Sequence, residues 1–241
     1  MTYHLIEGAP GCAYARDHSC NAVIVDALRA SATAAMLLDA GATEIHVVAS
    51  VDAALALKPS LPNALLYGER GGLPPEGFDH GNSPRETAPA AGRPIIFTTS
   101  NGSARLIDAE GAADIYMAST TNALALVAHL AQTDRDTVLI PAGNLADPEF
   151  DAQEDWAAAT AIAMLADTPI GEGALLYRDW RHRLELDGLV QVFESAPHTQ
   201  ILNDLGLTED VAYCAQLNIT NALPKVTDRL ETASVLTNAR D

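Results

Sequence analysis

Short β-branched segments alternate along this chain with stretches rich in alanine and leucine. Residues 21–26 have a continuous apolar centre, as in a strand buried on both faces, and residues 31–40 read as a helix closed by Gly41. The alternation continues with predicted strands at 44–48, 64–67, 94–98, 114–118 and 137–141, and with predicted helices at 51–57, 103–110, 122–131 and 155–166. This pattern predicts an α/β fold with three α/β/α layers around a mostly parallel sheet.

The pattern is weaker in the last third of the chain. Residues 184–194 and 199–205 have helical spacing, whereas residues 211–218 are ambiguous and the segment from Thr227 onward is polar. No internal repeat, heptad or low-complexity tract is present. We therefore expect a single unit over 1–241, with a sub-domain boundary near 169–173 as the alternative.

The chain is strongly acidic, with 14 Lys plus Arg against 32 Asp plus Glu among its 241 residues and a net charge of −18. It therefore lacks the basic patches that bind nucleic acid or anionic membranes. No apolar run approaches the ~20 residues that span a bilayer, and the first residues show no signal-peptide pattern. The three cysteines, Cys12, Cys20 and Cys214, have no CxxC spacing. That argues against a disulfide framework or a cysteine zinc site, and we expect a soluble, cytoplasmic protein.

Polar clusters follow four of the predicted strands. Asp26 and Arg29 follow the first, GERGG at 68–72 the third, TTSNGS at 98–103 the fourth, and GN at 143–144 the sixth. In an open α/β sheet the carboxyl ends of the strands line the ligand crevice, so we expect these clusters to meet at one edge. Taken singly, each cluster is also explained as ordinary turn chemistry.

The segment TTSNGS has the composition of an anion-binding turn. If it opens the helix predicted at 103–110, backbone N–H groups and the positive helix end would face a phosphate. The alternative is an ordinary helix N-cap. No GxxxxGK[ST] or GxGxxG pattern is present, which excludes a P-loop and a dinucleotide fingerprint.

Carboxylates at two places suit a hard cation. Asp26 and the adjacent pair Glu154 and Asp155 offer oxygen ligands to Mg²⁺, which usually takes one or two carboxylates together with phosphate and water. For the adjacent pair, an acidic first turn of a helix is the alternative explanation. Zinc is not favoured, because the seven histidines show no HxxxH or HExxH spacing.

Arginines accompany the acidic strand ends. Arg29 and Arg70 suit a multiply charged anionic substrate, because a guanidinium grips phosphate or carboxylate in a planar fork. For Arg85 and Arg105 we favour salt bridges to the many acidic residues.

Five segments together resemble the 2-phosphosulfolactate phosphatase (ComB-type) family: VIVDALRASAT, GERGG…GFDHGNSPRE, TTSNGSARL, GN…ED and SAPH…LG…DVAYC. The resemblance runs from about Asn21 to Pro224, and GFDHGNSPRE with TTSNGS carries most of its specificity. It implies a magnesium-dependent phosphohydrolase with an α/β/α fold that acts on phosphate esters of 2-hydroxy acids. In coenzyme M biosynthesis this family removes phosphate from 2-phosphosulfolactate to give sulfolactate.

The resemblance also implies site residues, position by position. The expected catalytic residues are Asp26, Arg29, Glu69, Arg70, His198 and Cys214, and the expected metal ligands are Asp26, Asp79, Glu154 and Asp155. Substrate-binding positions are Asn82, Ser83, Ser100, Asn101, Gly102, Ser103 and Asn144, and Gly81 also matches the third motif. The chain departs from the family pattern at Ala27, at His80, at Pro141 and in the acidic loop between Asn144 and Glu154. These departures leave the reaction class intact and the substrate open.

The nucleophile stays open between water, Asp26 and Cys214. The strand end VIVDAL lacks the second Asp of a DxDx[TV] motif, which excludes a haloacid-dehalogenase mechanism. No CxxxxxR loop surrounds Cys214, for which a buried inert thiol is the alternative. For His198 we weigh protonation of the leaving alkoxide against helix capping.

Two other functions are consistent with the same residues. One is a non-catalytic α/β module that binds a phosphorylated metabolite, and the other is a phosphatase for another small phosphate ester, such as a sugar phosphate. In either case the partner is a small anionic molecule. A homodimer is a further expectation, because compact enzymes of this size are often dimeric.

Overall fold

A single sheet forms the centre of the fold. The computed structural model describes residues 1–147 and 149–239, and within them nine strands join in one sheet. The strands are β1 (Tyr3–Leu5), β2 (Asn21–Val25), β3 (Glu44–Val47), β4 (Leu65–Gly68), β5 (Pro94–Thr98), β6 (Ile115–Met117), β7 (Thr137–Pro141), β8 (Pro224–Arg229) and β9 (Ser234–Asn238).

Helices cover both faces of this sheet. Over the described part of the chain the helices are α1 (Gly8–Asp17), α2 (Ala30–Asp39), α3 (Val51–Leu57), α4 (Gly102–Asp108), α5 (Ala123–Leu130), α6 (Gln153–Ala166), α7 (Ala174–Asp187), α8 (Leu189–Ser195), α9 (Pro197–Asp204) and α10 (Thr208–Cys214). Short 3₁₀ turns lie at Lys58–Ser60, Ala88–Ala90 and Thr120–Asn122. Within the described ranges, none of the helices has the length and apolar character needed to cross a bilayer.

The layering follows from which side chains each strand buries. In β2, Val23 and Val25 pack in a core with α5, α6, α8, α9 and α10, whereas Ala22 and Ile24 pack on the other face with α1, α2 and α4. Successive strand residues point to opposite faces, so a strand covered on both sides must be apolar throughout its centre. This arrangement confirms the predicted α/β/α layers.

The strands of the sheet run in two opposed groups. Their order is β1-β7-β2-β6-β8-β9-β3-β5-β4. The strands β1, β7, β2 and β6 are mutually parallel, as are β3, β5 and β4, so five of the eight neighbouring pairs are parallel. The β8–β9 hairpin lies between the groups and pairs antiparallel on both sides. The sheet is mostly parallel, as predicted, but its two halves point in opposite directions.

The helix α2 is enclosed by both groups of strands. Eight of its ten residues are buried. Its Ala34 and Leu37 share one hydrophobic cluster with Ile24 of β2 and Phe97 of β5. The loops after β2 and β5, five positions apart in the strand order, are also joined by the bond from Gly102 to Asp26, which requires the twisted sheet to curl around that helix. The curl brings the carboxyl ends of the two groups towards each other.

The expectation that the polar clusters meet at one edge of an open parallel sheet is therefore wrong in its geometry. The strands β4 and β5, which precede GERGG and TTSNGS, run opposite to β2 and β7. The clusters approach each other because the sheet curls, not because their strands share an edge. Strand direction is decided by the β8–β9 hairpin, which lies in the polar segment that the sequence pattern leaves unassigned.

The predicted elements of the first 166 residues are confirmed, with boundaries shifted by at most two residues. The helix predicted at 184–194 is wrong as a single element. It is divided at Gly188, where φ is +80°, into α7 and α8. The ambiguous residues 211–218 contain the end of α10, and the first twenty residues contain β1 and α1.

Candidate active site

Two adjoining pockets lie where the loops after β2, β4, β5 and β7 meet α6 and α9. The smaller, of about 50 Å³, is lined by Gly143, Phe150, Glu154 and Asp155 and is called the acidic pocket. The larger, of about 270 Å³, is lined by Arg29, Glu69, Gly72, Asn82 and Ser100 and is called the arginine pocket. The wall common to both consists of Asp26, Leu28, Asn101, Asn144, His198 and Ile201. The two pockets are thus parts of one cleft.

Asp26 lies in this common wall, directly after β2. One of its carboxylate oxygens accepts from the N–H of Ala30 at 3.2 Å and the other from the N–H of Gly102 at 2.8 Å. The residue is only 7% exposed, and burial raises the pKa of its carboxyl to about 6, with the charge of Glu69 acting in the same direction. Two backbone amides from the ends of opposed strands therefore hold this carboxylate in place.

Asp155 and Glu154 lie in the first turn of α6. The two oxygens of Asp155 accept from the N–H groups of Ala27 at 2.7 Å and Gly143 at 3.2 Å. Burial raises the pKa of Asp155, and the charges of Glu154 and Asp26 raise it further. Three carboxylates are thus gathered with little water around them, an arrangement that is unfavourable unless positive charge compensates it.

Glu154 also binds His198 of α9. Its Oε1 lies 2.9 Å from Nδ1 of His198, and the ring of Phe150 packs edge-on against the imidazole with centroids 6.1 Å apart. Burial lowers the pKa of His198, but the hydrogen bond and charge of Glu154 outweigh that effect, so the pKa is raised. With Nδ1 held by the carboxylate, Nε2 is the ring nitrogen available to a ligand in the cleft.

The residues of the acidic pocket fit a divalent cation. Among the described residues, no three His, Cys, Asp or Glu side chains form a complete metal site. Mg²⁺ needs no such set, because one or two carboxylates with phosphate and water suffice. Oε2 of Glu154 is a buried carboxylate oxygen for which the described residues provide no hydrogen-bond partner. A buried anionic oxygen without a partner, in a pocket that Asp26 and Asp155 also line, is the kind of donor that a hard cation requires.

The arginine pocket is lined by one positively charged side chain, that of Arg29, and by the polar side chains of Glu69 and Asn82. Arg29 is 3% exposed and donates from Nη2 to the carbonyl oxygen of Gly72 at 2.7 Å. Glu69 accepts from the N–H groups of Ser100 at 2.7 Å and Gly72 at 2.9 Å, which joins the loops after β4 and β5. Asn82 is 2% exposed, and its side-chain oxygen has no partner among the described residues.

Comparison with known proteins gives a consistent result. A profile of the family described as 2-phosphosulpholactate phosphatase matches residues 10–229. A protein of Deinococcus radiodurans named "Probable 2-phosphosulfolactate phosphatase" is 36% identical over 210 residues, covering 84% of this chain and 86% of that protein. A protein of the same name from Carboxydothermus hydrogenoformans is 35% identical over 216 residues, covering 84% of each chain. The chain belongs to the 2-phosphosulpholactate phosphatase family.

Membership of this phosphatase family confirms the resemblance read from the motifs and gives the enzyme class, a phosphoric monoester hydrolase. The cleft gathers ten of the residues that the motifs implied for a family member: Asp26, Arg29, Glu69, Asn82, Ser100, Asn101, Asn144, Glu154, Asp155 and His198. They come from six different loops and helices along the chain.

The structure does not bring all the implied residues of this family member into the cleft. Arg70 donates to the carbonyl oxygen of Glu69 at 2.6 Å and to Oγ1 of Thr98 at 2.9 Å. Asp79 is exposed and accepts from the N–H of Leu66 at 2.8 Å. Both side chains are used to hold the loops around β4, and neither lines the acidic or the arginine pocket.

The implied phosphate-binding turn is used differently from the expectation. The N–H of Gly102 donates to Asp26, and the N–H of Ser103 donates to Oγ1 of Thr99 at 3.1 Å. Asn101 accepts from the N–H of Leu145 at 3.0 Å through its side-chain oxygen. The turn therefore connects the loops after β2 and β7, and its amides at Gly102 and Ser103 are already paired.

Cys214 lies outside the cleft, at the end of α10. It is fully buried, and burial raises the pKa of its thiol strongly. The alternative interpretation, a buried inert thiol, matches this position.

The ion pairs favoured for Arg85 and Arg105 are confirmed, with partners Glu209 and Asp108.

Sequence reasoning missed some residues of the cleft. Phe150 belongs to the loop after β7, where the only signal near it was an acidic run. Leu28 and Ile201 contribute apolar wall, which no motif distinguishes from core. These positions become recognisable only when the curl of the sheet is known.

Proposed function

We propose that this family member hydrolyses the phosphate ester of a 2-hydroxy acid, with 2-phosphosulfolactate as the substrate and sulfolactate and inorganic phosphate as the products. The observation that carries the proposal is the division of one cleft into a carboxylate part and an arginine part. A substrate with a phosphate at one end and acid groups at the other matches that division. The names of the relatives support the same substrate.

We propose Mg²⁺ as the cation, held in the acidic pocket by Glu154 together with Asp26 or Asp155. When bound, the cation would neutralise charge on the phosphoryl group, which is the largest need in phosphoryl transfer. The carboxylates suit this cation because they are oxygen ligands with no basic side chain paired to Asp26 or Asp155 in the described structure. In a chain with a net charge of −18, a cation also offsets the repulsion that an anionic substrate would meet.

Arg29 is proposed to bind the carboxylate or sulfonate of the substrate. It lines the arginine pocket, whereas Glu154 and Asp155 line the acidic pocket. A guanidinium binds such planar or tetrahedral anions through two adjacent N–H groups. Asn82 and Ser100 line the same pocket and offer further polar contacts.

Water is the proposed nucleophile, and His198 the proposed proton donor to the leaving oxygen. Cys214 is fully buried and lies outside the cleft, so no thiol nucleophile is available there. His198 is held at Nδ1 by Glu154, which directs Nε2 to the substrate. In the reaction, water attacks phosphorus and keeps its protons on the released phosphate as H2PO4⁻, the P–O ester bond breaks, and the alkoxide takes the Nε2 proton of the His198 imidazolium.

The test measures phosphate release from synthetic 2-phosphosulfolactate with and without Mg²⁺. A sugar phosphate and phosphoglycolate are measured in the same way as comparison substrates. We expect turnover that requires the cation and prefers 2-phosphosulfolactate. Acid quench of a single turnover of ³²P-labelled ester should leave no phosphate on the protein, whereas a covalent phosphate at Asp26 would show that this carboxylate, and not water, attacks the ester. Binding of the ester without release of phosphate would instead support a non-catalytic module.

We also propose that the chain works as one unit, in the cytoplasm. The segment next to the alternative boundary pairs with β1 through bonds from Tyr3 to Pro169 and from Gly171 to Tyr3, and β8–β9 lies within the main sheet. The three cysteines are free thiols, which favours a reducing compartment. The homodimer stays a prediction, to be checked by light scattering.

A further inference from the structure

A buried carboxylate behind the arginine pocket contacts Arg29. Asp210, in α10, is 2% exposed, and its Oδ2 accepts from Nη1 of Arg29 at 2.6 Å. Both side chains of this ion pair are 3% exposed. A charge-assisted bond that is shielded from water holds its partners far more firmly than a surface pair does.

The contacts of Arg29 fix its plane. A guanidinium has five N–H donors. Nη1 bonds to Asp210 and Nη2 to the carbonyl oxygen of Gly72, so oxygens on two different elements hold the two terminal nitrogens. The side chain cannot rotate without breaking one of these bonds, and it lines the arginine pocket in this fixed orientation.

The other oxygen of Asp210 bonds to the loop that contains Asn82 and Ser83. Oδ1 accepts from Oγ of Ser83 at 2.7 Å. The residue before it, Asn82, lines the arginine pocket with a buried side chain whose oxygen has no partner in the described structure. One carboxylate therefore connects the arginine on one side to the asparagine loop on the other.

We propose that Asp210 is a positioning residue that holds Arg29 and the Asn82–Ser83 loop in the geometry that binds the substrate's acid group, a carboxylate or sulfonate. The proposal rests on the proposed function for the identity of that acid group. Asp210 acts through Arg29 and Ser83 and does not itself line the cleft. Its effect should therefore fall on substrate affinity and leave the chemical step intact.

Charge and positioning predict opposite results for Asp210→Asn, which makes this variant decisive. The variant removes one negative charge beside the pocket, so an effect through charge alone would tighten the binding of an anion. Loss of positioning would weaken it, because Arg29 would no longer be held at Nη1 by an anionic oxygen. The sign of the change in affinity separates the two.

The experiment compares Asp210→Asn with Glu209→Gln, the neighbouring residue on α10, whose partner Arg85 lies at the surface. KM and kcat are measured with Mg²⁺ for 2-phosphosulfolactate and for phenyl phosphate, which lacks acid groups. For Asp210→Asn we expect KM for 2-phosphosulfolactate to rise about 10- to 100-fold, the range for a lost bond to a charged group, with kcat changed less than about threefold. Phenyl phosphate and Glu209→Gln should show wild-type values.

Calorimetric titration with sulfolactate gives a second readout that needs no turnover. Weaker binding to Asp210→Asn than to the wild type supports the proposal, whereas equal or tighter binding overturns it. An equal loss of kcat/KM for both esters also overturns it, since that is the result of general damage to the fold. If the wild type releases no phosphate, the proposed function fails, and the titration still decides the role of Asp210.

A second variant decides the case in which Asp210→Asn does not fold, as judged by circular dichroism. Ser83→Ala keeps the Arg29–Asp210 pair and removes the bond from Ser83 to Asp210, together with the 3.3 Å bond that the N–H of Arg85 donates to the same hydroxyl. A rise in KM of more than about threefold for 2-phosphosulfolactate, and none for phenyl phosphate, supports the proposal. Unchanged values for both esters overturn it.

Discussion

The backbone N–H of Gly102 donates to the side chain of Asp26 at 2.8 Å, across 76 residues of sequence. The two residues follow strands of opposite direction, β5 and β2. A Cβ atom at position 102 would lie 2.7 Å from Oδ2 of Asp26 and 3.0 Å from Cβ of Ala30. Glycine is therefore required for the close approach of the backbone to this carboxylate.

Gly102→Ala should displace Asp26 and lower both stability and activity. Added volume at a close contact typically costs about 1–3 kcal/mol. We expect a loss of that size in the free energy of unfolding, measured in urea, and a fall in kcat of at least about tenfold. Gly81→Ala is the matched control, because its Cβ would make an ordinary contact of 3.6 Å with Pro74. Equal values for both variants would show that the approach to Asp26 does not matter.

His198→Gln should reduce turnover according to how much the leaving group needs a proton. Loss of a general acid typically costs about 10²–10⁴ in rate. We expect a loss in that range for the alkyl ester 2-phosphosulfolactate and a much smaller loss for p-nitrophenyl phosphate, whose phenolate leaves unprotonated. His182→Gln, in the exposed part of α7, serves as the control. A uniform loss for both esters would contradict proton donation by His198.

Mg²⁺ should stabilise the fold through Glu154. A ligand at 100 times its Kd adds about 2.7 kcal/mol to the free energy of unfolding. We expect the melting temperature to rise on adding Mg²⁺ to chelator-treated protein, and Glu154→Gln to abolish that rise. Glu194→Gln, on the exposed side of α8, should respond like the wild type. An undiminished rise in Glu154→Gln would place the cation elsewhere.

The cysteine thiols should be unreactive in the native protein. Cys12, Cys20 and Cys214 are 1%, 3% and 0% exposed, and burial raises the pKa of each, that of Cys12 to about 11. A raised thiol pKa keeps the group protonated, so iodoacetamide should label none of them at pH 7 to 8.5, and all three after unfolding. Cys214→Ala should keep kcat within about threefold of the wild type. Rapid labelling of Cys214 together with loss of activity would contradict this expectation and support Cys214 as the catalytic nucleophile.

The residues of the cleft were more predictable from the sequence than the architecture that assembles them. The motifs around Asp26, Asn101 and Glu154 identified members of one cleft, because each combines a strand end with side chains that suit an anion or a cation. The reason offered, a common edge of a parallel sheet, was wrong. Hydrophobic periodicity indicates that a segment is a strand but carries no information on the direction in which it pairs.

The roles within the motifs were less predictable than their membership. Arg70, Asp79 and Cys214 lie in the same motifs as cleft residues, yet their side chains hold loops or fill the core. A motif reflects every constraint on a segment, and packing is one of them. Asp210 begins the quoted segment DVAYC, but that motif does not indicate which residue its carboxylate contacts, and the buried bond to Arg29 lies 181 residues away.

The β8–β9 hairpin also bears on how the protein comes to be folded. Residues 224–238 are synthesised after every other strand of the described sheet, yet they form the only hydrogen-bonded connection between β6 and β3 among those strands. During synthesis, the edge strands β6 and β3 of the two parallel groups therefore remain unpaired until the hairpin has left the ribosome and pairs with both. Contacts between such distant parts of a chain form slowly and leave partly folded states exposed to aggregation. This enzyme should depend on chaperones during synthesis more than its modest size would suggest.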